Sequence, residues 1–237
     1  MIEFREGYFC YGNNLFCGIY FLIIQSEICI FDKKDKNMLE TIEIKKKIRV
    51  KMTEDAYLDR ELANEDDSTE RYEFLNGYIR NMGYATDAHE TLVTNFVSLL
   101  HYLLRKTDKR IYTSNRLLYV ESYNRYFYPD AQIVEGNPIN RTYKQTMQAL
   151  LNPAVLLEVI SESSEEYDHV EKWERYQTIP TLKQYVMVSQ KEMKVESYRR
   201  VSDEWLYVSV HGKTSSIKVL DCEISLADLY EKVIFHT

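Results

Sequence analysis

The sequence predicts an α/β fold, a mixed central β-sheet flanked by helices, and three observations lead there. Residues Val155 to Ile160 are apolar on both faces except for one acid, the pattern of a strand covered on both sides, and a helix start follows at once. Asp87 to Leu104 carries apolar residues at helical spacing, which predicts a long amphipathic helix packed on a sheet. Between Gln184 and Val210 three strand-like runs linked by polar turns extend the sheet.

With 237 residues the chain can hold one sizeable core or two small ones. Residues 38–237 are expected to form one domain, with residues 1–37 as an N-terminal extension set apart by the polar stretch Asp32 to Asn37. The apolar run Leu15 to Ile24 is too short to cross a bilayer as a helix, and Glu3, Arg5 and Glu6 before it are not the positive flank of a secretory signal. No membrane span is expected. One reading has Met38 as the start of the functional protein; the plainer one has the extension add a hairpin to the sheet.

In order along the rest of the chain, Thr53 caps a short helix with Glu54 and Asp55 in its first turn, running to about Ala63. An acidic turn, Asn64 to Thr69, follows. Tyr72 to Arg80 holds Asn76-Gly77 between two strand-like runs, a strong hairpin signal. Asp87-x-x-Glu90 reads as a capping box ahead of Leu92, Val93, Phe96, Leu99, Leu100, Leu103 and Leu104. His89 falls near the inward stripe, and spacing alone favours a core or helix-end histidine over a catalytic one. Ile111 to Val120 and Tyr126 to Val134 read as paired strands, and Glu135 to Asn152 as a polar insertion. Ser163-x-x-Glu166 caps the helix after the Val155 strand, and a short helix near Leu226 to Val233 closes the chain.

The net charge of −7 repels a phosphate backbone as a whole, so any nucleic-acid contact must be local. Cysteines at 10, 17, 29 and 222 lack the pairing of a zinc or iron–sulfur site and fit a reducing cytoplasm. There is no Gly-rich phosphate loop, no G-x-S-x-G elbow and no repeat.

The chemistry concentrates between Asp130 and Tyr176. Glu158 inside an apolar strand is costly to bury unless a proton or a cation compensates it, and Asp130 raises the same question. On neighbouring strands the two could share one hard divalent ion, which neutralises phosphate charge and lowers the pKa of an attacking water. Asp168, Lys172 and Tyr176 stand at i, i+4 and i+8 of the following helix. From spacing alone a solvated stripe with one Asp–Lys pair is slightly favoured; if the face turns to the strand end, Lys172 reaches the ion.

Glu73 with Asn76-Gly77, His89, Pro129-Asp130, Glu158-Val159-Ile160-Ser161, Asp168, Lys172 and Tyr176, in this order, resemble the pattern of the Uma2 family (DUF820), endonucleases of the PD-(D/E)XK superfamily. The resemblance runs from about Thr53 to Arg200. It implies a restriction-endonuclease-like core, Asp130 and Glu158 as ligands of Mg²⁺ or Mn²⁺, and Lys172 as the cation that orients or deprotonates water. The superfamily lysine two residues after the glutamate is Ile160 here, and Lys172 matches the helix position from which Uma2-type members supply it. Glu73 matches an early acidic position that could ligate a second ion or hold a metal water; an exposed strand glutamate is the equal alternative. Ser161 and Asp168 match positions that fix the strand-to-helix turn.

Arg105, Lys106, Lys109, Arg110, Arg116 and Arg125, interleaved with Tyr119, Tyr123 and Tyr126, offer a local positive excess for DNA, although such runs are more often solvated faces. The expected function is cleavage of DNA phosphodiesters by a cytoplasmic, metal-dependent endonuclease, with a homodimer as the candidate assembly. The rival is a nuclease-fold module that binds nucleic acid or a protein partner without cutting. A glycosidase carboxylate pair explains neither Lys172 nor the basic residues.

Overall fold

The structure, a computed structural model, describes residues 4–11, 14–24, 27–32, 50–63, 71–161 and 164–235. The chain forms two compact units, residues 1–48 and 49–237. In the first, β1 (Phe4–Tyr11), β2 (Asn14–Ile24) and β3 (Glu27–Asp32) pair antiparallel in succession as a sheet of their own. The apolar run from Leu15 thus lies on a strand. Met38, the domain boundary expected at residue 37, the acidic turn 64–69 and the cap residue Ser163 all lie outside the described residues. Among the described residues no helix is long and apolar enough to cross a membrane.

The second unit opens with β4 (Val50–Lys51) and α1 (Glu54–Ala63), whose Ala56 amide donates to Thr53 Oγ1 at 3.3 Å, as the cap predicted. β5 (Tyr72–Leu75) and β6 (Tyr78–Asn81) form the Asn-Gly hairpin. Asn76 and Gly77 both have positive φ, 52° and 90°, which the primed turn of a two-residue loop requires. In α2 (Asp87–Leu104) the cap is Thr86, one residue before the predicted Asp87: its hydroxyl accepts from the His89 amide at 3.1 Å. Asp87 instead stands in the first turn, where its charge suits the helix dipole.

The two long strands expected from Ile111 to Val134 are each broken. The first divides into β7 (Arg110–Thr113) and β8 (Leu118–Val120), the second into β9 (Arg125–Phe127) and β10 (Ala131–Val134). Pro129 has no N–H for a ladder, so pairing stops there and the chain passes from one sheet to the other. The predicted polar insertion contains a hairpin, β11 (Asn140–Tyr143) with β12 (Met147–Leu150), whose Met147, Ala149 and Leu150 are buried. Next come β13 (Val155–Ile160), a π-helical turn (Tyr167–Lys172) running into α3 (Trp173–Tyr176), and the antiparallel run β14 (Gln184–Ser189), β15 (Lys194–Val201) and β16 (Glu204–His211). A hairpin absent from the prediction, β17 (Ser216–Val219) with β18 (Cys222–Ser225), precedes the short α4 (Leu226–Leu229).

Two mixed sheets result. One has the order β16-β15-β14-β13-β10-β7, with β13 and β14 parallel; the other has the order β11-β12-β8-β9-β5-β6-β4. Every residue of β13 is buried. Because side chains alternate along a strand, Val155, Leu157 and Val159 face Leu92, Phe96 and Leu100 of α2, and Leu156 and Ile160 join Tyr176, Tyr185, Met187 and Phe127. Each such side chain contributes about 1.5–3 kcal/mol on burial. Glu158 stands between Leu156 and Ile160, on the face that looks toward Tyr176.

Candidate active site

A carboxylate on the buried face of β13 must be compensated, and the compensation comes from the helix that follows. Lys172 Nζ lies 2.9 Å from Glu158 Oε2 and 3.0 Å from Asp168 Oδ1, and the Tyr176 hydroxyl donates to Glu158 Oε1 at 2.9 Å. Asp168, Lys172 and Tyr176 are buried, so the stripe that spacing favoured as solvated faces inward. The π-helical turn spanning Asp168 and Lys172 accommodates this: such turns carry more residues per turn than an α-helix and are frequent at functional sites. Stacking of Trp173 on Tyr198 (3.9 Å) and edge contact of Tyr176 with Tyr185 (5.2 Å) fix the helix against the sheet.

Glu73 comes from β5 of the other sheet and is buried, which removes the exposed alternative. Its Oε1 lies 3.6 Å from Lys172 Nζ, and its Oε2 accepts from the Tyr167 hydroxyl at 2.7 Å. Arg80, across the hairpin, sits 3.7 Å from Oε2 with its guanidinium 3.4 Å over the Tyr167 ring. Three acids from three elements therefore surround one ammonium. Burial pulls the Lys172 pKa down, but Asp168, Glu158 and Glu73 outweigh it and hold the group well above its ordinary value. Lys172 is protonated throughout the neutral range. Burial pushes the Glu158 carboxyl well up, with Lys172 opposing and Asp130 and Asp168 adding to the rise.

Asp130 precedes β10, whose register sets Ala131 opposite Leu157 of β13. Its Oδ2 accepts from the Val159 amide at 2.7 Å and its Oδ1 lies 3.1 Å from His89 Nε2. His89 is thus a helix-end residue that orients an acid. Burial lowers its pKa and the Asp130 hydrogen bond and charge more than restore it, so the ring titrates above its ordinary value. Ser161 directly follows β13, and its amide donates to Ser164 Oγ at 3.1 Å, which fixes the entry to the helix. Tyr167, Arg80 and Tyr185 belong to the cluster as well, and sequence reasoning missed them. Tyr167 lies one residue before Asp168, and Arg80 lies opposite Glu73 in the Asn-Gly hairpin, the one signal that could have flagged it.

The oxygen donors are of the hard type that Mg²⁺ or Mn²⁺ takes. Glu73 Oε1 and Asp168 Oδ1 are buried and make no hydrogen bond beyond their ion pairs with Lys172 at 3.6 and 3.0 Å, so both are oxygens that a cation compensates. The set fits such an ion chemically. Among the described residues, however, no three acidic, histidine or cysteine side chains stand in ligating array, and the cation within the carboxylates is the Lys172 ammonium. Ile160, at the superfamily lysine position, is packed in the apolar core.

Most of the basic stretch is engaged locally. Arg110 donates to the Gly136 carbonyl and Arg116 to Asn140, Lys109 lies 3.7 Å from Glu135, and Arg105 bonds the Tyr102 carbonyl. Tyr126 is buried and Tyr119 packs on it at 4.6 Å. Arg125 and Tyr123 are half-buried near the helix of Lys172.

Known proteins resemble this chain in sequence and in fold. The family model Uma2, described as "Putative restriction endonuclease", matches residues 55–227. The protein sll1609 of Synechocystis sp. is 30% identical over 158 residues, which cover 66% of this chain and 88% of its own. Another from the same organism, slr1290, is 26% identical over 173 residues, 72% of this chain and 89% of its own. A crystal structure described as that of "a putative nuclease belonging to DUF820", from Anabaena variabilis, matches with a TM-score of 0.62 at 14% identity, over 77% of this chain and 99% of that one. At that identity the likeness speaks for the fold, a mixed α/β nuclease-like architecture.

Proposed function

Since the chain belongs to the Uma2 family, described as "Putative restriction endonuclease", we propose that it is a metal-dependent endonuclease that hydrolyses phosphodiester bonds of DNA. The observation that carries this reading is the convergence of Glu73, Glu158 and Asp168 on Lys172, beside an Asp130 tied to the residue after Glu158. Asp130 and Glu158, with Glu73, are the residues that would hold Mg²⁺ or Mn²⁺. Bound there, the ion would supply charge neutralisation at the phosphate and a lowered pKa for the attacking water.

The chain's own groups have distinct tasks. Lys172, kept charged by its acids, has no free pair with which to deprotonate water, so its part is to orient the phosphate and stabilise the charge that develops on it. The Tyr176 hydroxyl holds Glu158 Oε1, the Val159 amide and His89 hold Asp130, and the Tyr167 hydroxyl holds Glu73. Each acid thus presents an oxygen in a fixed direction, as a preorganised site requires. In the reaction one bond forms from a water oxygen to phosphorus, the proton of that water passing to surrounding water, and the bond from phosphorus to a deoxyribose oxygen breaks, that oxygen taking up a proton from water. Incubation of the purified chain with plasmid and Mn²⁺, with and without EDTA, tests the proposal: metal-dependent nicking is expected, and no nicking on supercoiled, linear and single-stranded DNA would refute it.

A second reading, a nuclease-fold module that binds without cutting, is favoured by one observation: the ammonium of Lys172 already fills the space among the carboxylates. DNA binding with no cleavage under every metal tried would select it.

A further inference from the structure

We infer that Arg125 and Arg175 form a binding site for a backbone phosphate of the nucleic acid, beside the candidate centre and across the ring of Tyr123. The inference rests on the proposed DNA substrate for its ligand but on separate residues for its evidence. Arg125 is on β9 and Arg175 on α3, and their guanidinium carbons lie 5.9 and 5.5 Å from the centroid of the same ring. Tyr123 is half-buried in the turn Glu121–Tyr123, which Ser122 ties to the end of the helix through Thr178 at 2.6 Å.

Two cations held together need a reason. Arg175 has one: its Nη1 donates to the Glu171 carbonyl at 2.5 Å and to Glu174 Oε2 at 2.8 Å. Even so, Nε of Arg175 and Nε of Arg125 are both buried without a hydrogen-bond partner. Leaving buried donors unmet costs about 1–3 kcal/mol each, so the fold itself does not fully satisfy either guanidinium and an acceptor at its outer nitrogens would be favoured. Burial, and after it the neighbouring Arg175, lower the Arg125 pKa despite Tyr167, Glu171 and Glu174, so the charged form of Arg125 is disfavoured as it stands and an anion beside it would favour it.

The fork of an arginine matches the oxygens of a phosphodiester, and two forks near one ring can share a phosphate. Position fits as well. Tyr167, whose hydroxyl holds Glu73, acts electrostatically on Arg125, which sets the arginine pair on the side of the candidate centre. None of the four engaged basic residues of the 105–116 stretch is needed for this contact.

The test is equilibrium binding of a labelled DNA duplex to the full chain in EDTA, where no cleavage occurs, over a series of salt concentrations. Arg125→Gln and Arg175→Gln are each expected to reduce the slope of log affinity against log salt by about 0.9, the loss of one phosphate contact, so a fourfold rise in salt costs each variant about 3.5-fold less affinity than it costs the wild type. Arg125→Lys, which keeps the charge and loses the fork, should keep the slope and bind more weakly; it also serves if the Gln variant unfolds in a thermal melt. Inorganic phosphate should compete in the wild type and not in Arg125→Gln. Unchanged slopes in both Gln variants, or no duplex binding by the wild type, would overturn the site. Duplex binding with these slopes but no cleavage in Mn²⁺ keeps the site and removes the nuclease; cleavage with unchanged slopes does the reverse.

Discussion

The amide of Val159 donates to Asp130 Oδ2 at 2.7 Å, so the acid that precedes β10 is pinned to the residue directly after the acid of β13. The two carboxylates are thereby coupled through backbone, and neither can move without the ladder between β10 and β13. On the other side Glu158 is held by Lys172 and Tyr176.

From this coupling, Asp130→Ala and Glu158→Ala should each abolish metal-dependent cleavage. Folding should survive at some cost in stability: the hydrogen bonds of the remaining partners go unmade, but Lys172 keeps Asp168 and Glu73 when Glu158 is lost, and the core around β13 is apolar. Far-UV circular dichroism and a nicking assay on the same preparations check it; full activity in either variant would remove the assignment.

Lys172→Met should cost about 3–5 kcal/mol in urea unfolding, the penalty for stranding buried charges whose partner has gone. Saturating Mn²⁺ should raise the thermal midpoint of this variant more than that of the wild type, since the divalent ion then meets no competing ammonium. Equal shifts in the two proteins would show that the ammonium and the metal do not share a space.

Thr86→Ala should lower stability by about 1 kcal/mol, because its hydroxyl caps α2 and also reaches Gln190 Oε1 at 2.6 Å. Asp87→Ala should cost less, as a dipole contact only. The order of the two losses in chemical denaturation discriminates between the cap residues.

Glu61 is buried, with Oε1 unpartnered and the other oxygen accepting from Tyr128 at 2.7 Å. Burial raises its pKa, and Tyr128, Arg60 and Arg71 do not fully oppose the rise. A folded-state pKa above the unfolded one means that the native chain binds the extra proton, so stability from this group is complete below the ordinary glutamate range near 4.3 and is lost as pH climbs through the raised value. Glu61→Gln should therefore melt a few degrees above the wild type at pH 7 and within error of it near pH 4. A constant difference across that range would contradict the sign.

What could be read in the sequence was what short-range chemistry dictates. The Asn-Gly hairpin, the Thr53 helix, the fully buried β13 and the set Asp130, Glu158, Lys172 and Glu73 follow from turn conformation, capping, apolar continuity and the family pattern. The breaks at Ser114–Leu117 and Tyr128–Asp130 were illegible because a strand that changes sheets keeps its apolar alternation, and only Pro129 marked one of them. The inward turn of Asp168 and Lys172 stayed open because spacing puts them on one face of the helix without saying which way that face looks. Tyr167 and Arg80 escaped because their role is set by packing between sheets, which no local spacing encodes.

The π-helical turn between Tyr167 and Lys172 gives the segment a length requirement. Its surplus residue sets the phase of everything downstream, so deleting one position there would turn Trp173 and Tyr176 by roughly 100° about the axis. Tyr176 would then leave Glu158, and Trp173 its stack on Tyr198. Chain length in this stretch is as much a part of the site as the charged groups, and a shortened relative would have to place its helix differently to keep the same acid company.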